Sequence, residues 1–286
     1  MTHPSTTASS PAELAAQYDA FHTARARSTL TARLYAAAMG DDYPDEVAAS
    51  SSCDWPLLGL MAARLRMRPR QLLVDAGCGT GGVGLWLARA LAVDLEGLDI
   101  SPVAVDRATF RRTHFRVSAG FRVASLETTG LPDACAHGAV CVDALALAAN
   151  RTHAVRELGH LLAPGGRLVL TRALRRGSRP LWEEQARAAG LVVEHVDERP
   201  AEPAMWARLY RLWIDHEDDL RRELGDDQAD NMLREARARL PALPGRRAVL
   251  LTLRRPAAEP SAPGTIATMT PPGRPGGPAS TGRTPQ

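Results

Sequence analysis

One stretch constrains this chain more than any other: Leu72-Leu73-Val74-Asp75-Ala76-Gly77-Cys78-Gly79-Thr80-Gly81-Gly82-Val83-Gly84. It opens as a short apolar run, the pattern of a strand buried on both faces of a parallel sheet. A carboxylate closes the run. Glycines at alternate positions follow, and Leu85-Trp86-Leu87-Ala88 then has helical character. Strand, glycine turn and helix begin a mononucleotide-binding unit. Glycine suits such a turn because it tolerates positive φ, and because its missing Cβ lets a ligand approach the backbone closely.

The rest of the chain can be laid out around that unit. Residues 1–11 are small and polar and are expected to lack order. From Ala12 to about Met39 the pattern is helical, with Leu14, Tyr18, Phe21, Leu30 and Leu34 on helix-like spacing, until Gly40-Asp41-Asp42-Tyr43-Pro44 breaks it. Asp54 or a nearby serine can cap a further helix, Trp55 to about Arg66, with Pro56 in its first turn. Residues 12–67 therefore read as a helical lid ahead of a core spanning residues 68–255.

Within the core, Val93–Ile100 alternates and ends on an acid, as a second strand. Ser101 and Pro102 then supply the N-cap and first position of a helix. Phe121–Ala124, Ala139–Asp143, Arg167–Thr171 and Leu191–Val196 read as strands three to six. Helices over Arg151–Leu162, stopped by Pro164-Gly165-Gly166, and over Pro180–Ala189 separate the later ones. The alternation lapses over residues 201–242, a helical insert broken near Gly225. Arg247–Leu253 then forms a seventh strand. Alternating strands and helices imply an α/β, Rossmann-like fold with helices on both faces of a mostly parallel sheet. Residues 256–286 are Pro, Gly, Ser, Thr and Ala with little to bury, and are expected to form a disordered tail.

Charge and cysteine usage exclude several classes. The 35 basic and 32 acidic residues nearly balance, at a formal net charge of +3, so there is no footprint for nucleic acid or a membrane surface. All of the basic residues are arginine, which removes Schiff-base chemistry from a lysine. Cys53, Cys78, Cys135 and Cys141 form no CxxC pair and no His spacing suggests a metal, so free thiols and no metal site are expected. No apolar run approaches a membrane span, and Met1-Thr2-His3-Pro4 lacks the regions of a signal peptide. The expected location is the cytoplasm. Nothing in the sequence reports the oligomeric state.

Gly77–Gly82 satisfies both GxGxG and GxGxxG, patterns shared by nicotinamide enzymes and methyl-transfer enzymes. The acids separate the two. Asp75, at the end of a buried strand, is costly without a partner, and a cationic ligand supplies one. Asp99 ends the second strand, where a ribose-binding acid belongs. S-adenosylmethionine, with ammonium and sulfonium charges, fits this pair better than a pyrophosphate cofactor, which two acids would repel. The alternative is that Asp75 merely caps a backbone turn.

Val74-Asp75-Ala76-Gly77-Cys78-Gly79-Thr80-Gly81, Leu98-Asp99-Ile100-Ser101, Leu131-Pro132-Asp133 and Leu161-Leu162-Ala163-Pro164-Gly165-Gly166-Arg167-Leu168-Val169-Leu170 follow one another at the spacing of a known family. Over about residues 68–255 the chain resembles the class I S-adenosylmethionine-dependent methyltransferases. Its helical N-terminus and Trp206 region are similar to the actinobacterial small-molecule, secondary-metabolite members. The resemblance implies a seven-stranded sheet with an antiparallel last strand, capped at its C-terminal edge by the lid and the insert. It places Asp75, Gly77, Cys78 and Gly79 along the methionine part of the cofactor, Asp99 on the ribose and Ile100 on the adenine. Ser125, followed by Leu126, stands where the family often carries an acid for the adenine amino group. His137-Gly138 replaces the family's usual Phe-Asp before the fourth strand. Tyr18 matches a tyrosine that closes over the sulfonium in related enzymes, where its ring attracts positive charge.

Substrate residues are less constrained. Cys141-Val142-Asp143-Ala144-Leu145 replaces the Asn/Asp-Pro-Pro-Tyr of enzymes that methylate nucleic-acid bases, which argues for a small-molecule acceptor. Val142 and Asp143 are candidates to touch cofactor or substrate, with a helix N-cap as the other role for Asp143. Trp206, Tyr210 and Trp213 share one helix face, either as an aromatic wall for a flat substrate or as the insert's own core. His22, Asp143 and His216 are candidate bases for a hydroxyl acceptor. The reaction implied is in-line methyl transfer. Three alternatives stand beside it: a macromolecular acceptor, non-methyl chemistry such as cyclisation on the same scaffold, and cofactor binding without catalysis as a partner subunit.

Overall fold

The computed structural model describes residues 11–257; the expected disorder of residues 1–10 and of the tail beyond 257 lies outside them. A seven-stranded sheet runs through the molecule. Its strands are β1 (Leu72–Ala76), β2 (Asp94–Asp99), β3 (Ala119–Val123), β4 (Ala136–Cys141), β5 (Leu162–Arg175), β6 (Val192–Glu198) and β7 (Arg246–Arg254), in the order β3-β2-β1-β4-β5-β7-β6. The pairs β1–β2, β2–β3, β1–β4 and β4–β5 are parallel. β7 inserts between β5 and β6 and runs antiparallel to both. Strand order reverses direction at β1, which opens a crevice above the C-terminal ends of β1, β2 and β4, where ligands bind in such sheets.

Burial explains why the central strands are apolar on both sides. On one face α3 (Trp55–Leu65), α4 (Gly82–Leu91) and α5 (Pro102–Phe115) cover Leu73, Leu95, Val140 and Val169. On the other, α6 (Arg151–Leu161) and α7 (Trp182–Ala188) cover Val74, Ala139, Leu168 and Leu170. The anticipated caps form. Asp54 accepts from Leu57 N at 2.8 Å and Ser101 Oγ from Ala104 N at 3.1 Å, each ahead of a proline in the first turn.

Some boundaries differ from expectation. The first helical stretch is two helices, α1 (Pro11–Ala26) and α2 (Leu30–Met39). Ser28 Oγ accepts from Leu30 N at 3.0 Å, a local bond that competes with the helical ladder. Pro164-Gly165-Gly166 does not precede β5 but lies inside it, as an irregularity where Leu162 pairs with Ala136 and Arg167 with Gly138. His137-Gly138 likewise lies within β4. A Cβ on Gly138 would meet Met67 Sδ at 2.6 Å, so the thioether fills the space that a side chain there would take.

The insert is α8 (Glu202–Asp215), α9 (Glu217–Leu224) and α10 (Asp226–Arg239), with breaks at His216 and Gly225. It shares a core with the N-terminal helices: Leu30, Leu34, Tyr35 and Ala38 pack with Leu209, Tyr210, Trp213 and Leu233's neighbour Met232. The two helical segments, far apart in sequence, thus form one cap over the crevice. No described helix is long and apolar enough to cross a membrane.

Candidate functional site

A cavity of about 2210 Å³ lies between the sheet and this cap. Single-ligand pockets are typically ~300–1,000 Å³, so it has room for a nucleotide-sized group and a second molecule together. Its floor is the glycine turn with the ends of β1, β2 and β4; its walls are α1, α2, α8 and α10.

The turn is held from below. Leu98 O accepts from Gly77 N at 2.8 Å and Cys78 N at 2.9 Å. Gly77 has φ +77°, and a Cβ there would meet Ala144 Cβ at 2.3 Å, so its missing side chain admits the β4 loop rather than a ligand. Gly79, at φ +52°, fits the expected ligand approach better. Its Cβ direction meets only His22 Cε1, at 3.7 Å.

Asp75 and Asp99 define the electrostatics. Asp75 is 2% exposed and its Oδ2 accepts from Gly84 N at 3.0 Å. The backbone-capping role is therefore real for one oxygen, and the carboxyl also lines the cavity. Burial raises its pKa to about 7, and the Asp99 charge adds to the rise. Asp99 Oδ2 accepts from Gly79 N at 2.7 Å and Oδ1 from Ser101 N at 3.0 Å. Burial raises its pKa too, against the backbone bonds that lower it. A carboxylate has about four lone-pair sites, so Asp99 keeps acceptor capacity for a diol. Neither acid forms an ion pair among the described residues; the forces acting on them are burial, backbone N–H groups and other carboxylates. A ligand bearing positive charge and a vicinal diol meets both demands. The residues present fit S-adenosylmethionine on this count.

The lid is fastened beside them. Asp19 Oδ1 accepts from Ser101 Oγ at 2.5 Å and Val103 N at 3.2 Å, and Arg107 Nη1 donates to His22 O at 2.9 Å. Tyr18 and His22 consequently line the cavity. Desolvation pushes the Tyr18 phenol up to about 12. Desolvation, with Arg25 and Arg107 adding, holds His22 down at about 4.

Cys78, Ile100, Ser125, Leu126 and Val142 also line the cavity, as their assignment requires. Ser125 Oγ accepts from Glu127 N at 3.1 Å, so part of its capacity serves the local turn. Asp143 is not a helix N-cap. It sits at φ +55°, where Oδ2 accepts from Ser52 N at 2.7 Å and Oδ1 from Thr171 Oγ1 at 2.9 Å. It ties the 50s loop to the ends of β4 and β5. His216 is outside the cavity, at the α8–α9 junction against Asp219 Oδ2 at 3.1 Å, because the helix breaks there instead of running on. Trp206, Tyr210 and Trp213 satisfy both readings at once. They pack in the cap's core, with Tyr35 at 6.4 Å from Trp206 and 6.5 Å from Trp213 between ring centroids, and they also line the cavity.

Several cavity residues carried no signal in the sequence. Arg25 and Tyr35 face each other across the α1–α2 turn. Glu202 is 4% exposed and takes Arg246 Nη2 at 2.6 Å. Glu235 Oε1 accepts from Tyr210 Oη at 3.1 Å and stands 3.3 Å from Arg239 Nε. Spacing of Phe21 and Arg25 at i, i+4 on α1 was legible, but which face of α1 turned inward was not.

The fold is the Rossmann-like fold of the class I S-adenosylmethionine-dependent methyltransferases, and residues 73–166 match the methyltransferase domain family. S-adenosylmethionine is the cofactor of that class. Among curated proteins the chain is similar to 27-O-demethylrifamycin SV methyltransferase of Amycolatopsis mediterranei, 30% identical over 56% of this chain; the chain spans 58% of that relative's length. Among solved structures it superposes on the [4+2]-cyclase SpnF with a TM-score of 0.69 at 20% identity, covering 88% of this chain and 98% of the other. It also superposes on geranyl diphosphate C-methyltransferase from Streptomyces coelicolor, solved with S-adenosylhomocysteine, with a TM-score of 0.58 at 18% identity, covering 89% and 100%.

Proposed function

We propose that this protein transfers the methyl group of S-adenosylmethionine to a small-molecule acceptor, a secondary metabolite, held under the helical cap. The observation that carries the reading is the pair Asp75 and Asp99. They are two acids at the floor of the cavity with raised pKa values and no cation among the described residues to pair with them. The relative that acts on a rifamycin and the aromatic compartment beside the cofactor floor support the class of acceptor.

The bound cofactor supplies an electrophilic methyl group on a cationic leaving group. The chain's own part is alignment and exclusion of water. Asp99 and the Gly79 backbone hold one end, while Tyr18 and His22 cover the turn from α1. The cap aromatics orient the acceptor. Of the three candidate bases, His216 is out of reach and His22 at about 4 is a weak proton acceptor, while Asp143 lines the cavity with each oxygen already accepting one hydrogen bond from the protein. With no strong base set against it, the acceptor this reading favours is an amine, an activated carbon or an oxygen that arrives ionised. This same observation favours a second reading, chemistry other than methyl transfer, such as the cyclisation named for the [4+2]-cyclase that shares the fold.

Titration calorimetry with S-adenosylmethionine and S-adenosylhomocysteine tests the cofactor half of the proposal. Both bind, and Asp99→Ala weakens both by about a hundredfold, the worth of charge-assisted bonds to a diol. Absence of binding, or an Asp99→Ala variant that binds as well as wild type, overturns it.

A further inference from the structure

Two donors in the cap have no acceptor among the described residues. Arg25 Nη1 and Trp213 Nε1 are both shielded from solvent and without a hydrogen-bond partner, and both residues line the cavity. They flank one ring: Arg25 interacts with the Tyr35 hydroxyl, and Trp213 stands 6.5 Å from Tyr35 between centroids. Buried donors are rarely left this way, and an arginine cannot shed its proton to escape the cost. Three other arginines that line the cavity have acid partners. Arg246 has Glu202 at 2.6 Å, Arg239 has Glu235 at 3.3 Å, and Arg199 has Asp54 at 3.7 Å. Arg25 has instead the face of Phe21, 3.7 Å from Cζ to the ring centroid, and Glu235 acting from beyond ion-pair range. An open guanidinium N–H on an arginine bonded to Tyr35 and an open indole N–H on the tryptophan packed against the same ring, both on an aromatic wall of the cavity, make an incomplete anion site.

Resting on the reading above, we infer that the cap side of the cavity recognises an anionic oxygen, a carboxylate or ionised hydroxyl on a flat apolar substrate, held by Arg25 and Trp213. Arg25 is then the specificity residue for the substrate's charge. The indole N–H directs the same oxygen, and Tyr35 keeps the two donors in register. Glu202 and Glu235 on the cap side are closed by Arg246 and by Tyr210 with Arg239, which leaves the open Arg25 donor to attract an anionic group there, away from Asp75 and Asp99.

The test uses protein saturated with S-adenosylhomocysteine and two matched probe pairs: 1-naphthoate against neutral 1-naphthamide, and 4-nitrophenolate at about pH 8 against neutral 4-nitroanisole. Binding is read by quenching of tryptophan fluorescence. Wild type prefers at least one charged probe by roughly tenfold or more, the worth of one hydrogen bond to a charged group. Which pair shows the preference identifies the oxygen. In Arg25→Met the preference disappears while S-adenosylhomocysteine affinity is retained. Trp213→Phe, which removes the donor at nearly constant shape, reduces the preference several-fold. Arg25→Met also melts no lower than wild type, because it removes an unpaired buried charge; a purely structural arginine would lower the melting temperature. The inference is overturned if wild type binds charged and neutral probes alike or not at all, or if the preference survives Arg25→Met. Failure of wild type to bind S-adenosylhomocysteine overturns the methyl-transfer reading instead, so the two failures are distinct. The wild-type preference needs no variant and stands as a test even where a variant does not fold.

Discussion

The proposed role of Asp75 predicts that cofactor binding releases a proton from its carboxyl. The carboxyl is buried with a single backbone donor, Gly84 N, and its pKa is raised to about 7 by desolvation and by Asp99. At pH 7 about half of the ligand-free molecules carry it neutral. A cationic ligand favours the ionised form and pulls the pKa back down. Affinity therefore rises with pH. The ionised fraction climbs from about 0.03 at pH 5.5 to about 0.5 at pH 7, so the association constant for S-adenosylmethionine increases roughly fifteenfold over that interval. The ligand's own amino group, near pKa ~8, stays protonated throughout it. Calorimetry at pH 6 in buffers of different ionisation enthalpy reads the released proton directly, close to one per ligand. In Asp75→Asn the slope and the proton release both vanish. The same shift has an opposite sign for stability. A folded pKa above the unfolded 3.8 gives stability that is present at low pH and is lost as pH rises through about 7. At pH 8 the ligand-free wild type carries a penalty of up to about 4 kcal/mol that Asp75→Asn lacks, and the variant melts higher. A flat affinity profile between pH 5.5 and 7, or one that persists in Asp75→Asn, refutes the assignment.

Two further outcomes follow from the packing of the lid and the turn. His22, held at about 4 in the folded state, takes up its proton more readily when unfolded, so stability falls as pH drops from 6.5 toward 4. The loss is about 2 kcal/mol by pH 5, and His22→Phe removes it, as denaturant titrations at pH 5 and 7.5 will show. Gly77→Ala costs about 2–5 kcal/mol, from left-handed strain and overpacking against Ala144 Cβ at 2.3 Å. Adding Ala144→Gly recovers the overpacking share alone, about 1–3 kcal/mol in a double-mutant cycle, whereas a glycine kept only for ligand access would show no coupling.

How much could be read in the chain depends on how local each determinant is. The β1 turn is legible because strand, acid, glycines and helix are contiguous. The caps at Asp54 and Ser101 are legible because a capping residue and its proline are neighbours. His216 was misplaced for the same reason in reverse. Helical period carried the Trp206 helix through it, whereas α8 ends at Asp215 and His216 stands at the junction with α9, outside the cavity. Asp143 looked like a cap because its partners, Ser52 and Thr171, lie far off in sequence. The aromatic face of α8 presented two exclusive readings because the missing fact was α2. Once Tyr35 and Leu34 fill one side of that face, its other side is left to the cavity.

The weakness of His22 as a base and the open Arg25 donor in the cap point the same way. Taking a proton from a neutral hydroxyl near pKa 10 with an acceptor at about 4 costs on the order of 8 kcal/mol before any methyl moves. Evolution of a general base would have needed an acid or imidazole less desolvated than His22, yet the cap spends its polar groups on closed pairs, Glu202 with Arg246 and Glu235 with Tyr210. A substrate that enters already ionised removes that cost. Arg25 offers the charge to select it, and Asp75 and Asp99 offer the opposite charge to the cofactor. The two compartments are then sorted by sign: a cationic donor on the sheet and an anionic molecule under the cap, attracted to each other across the cavity. On that arrangement, methyl transfer under the proposed reading would need opposite charges brought into line with water excluded from between them, and would require no general base.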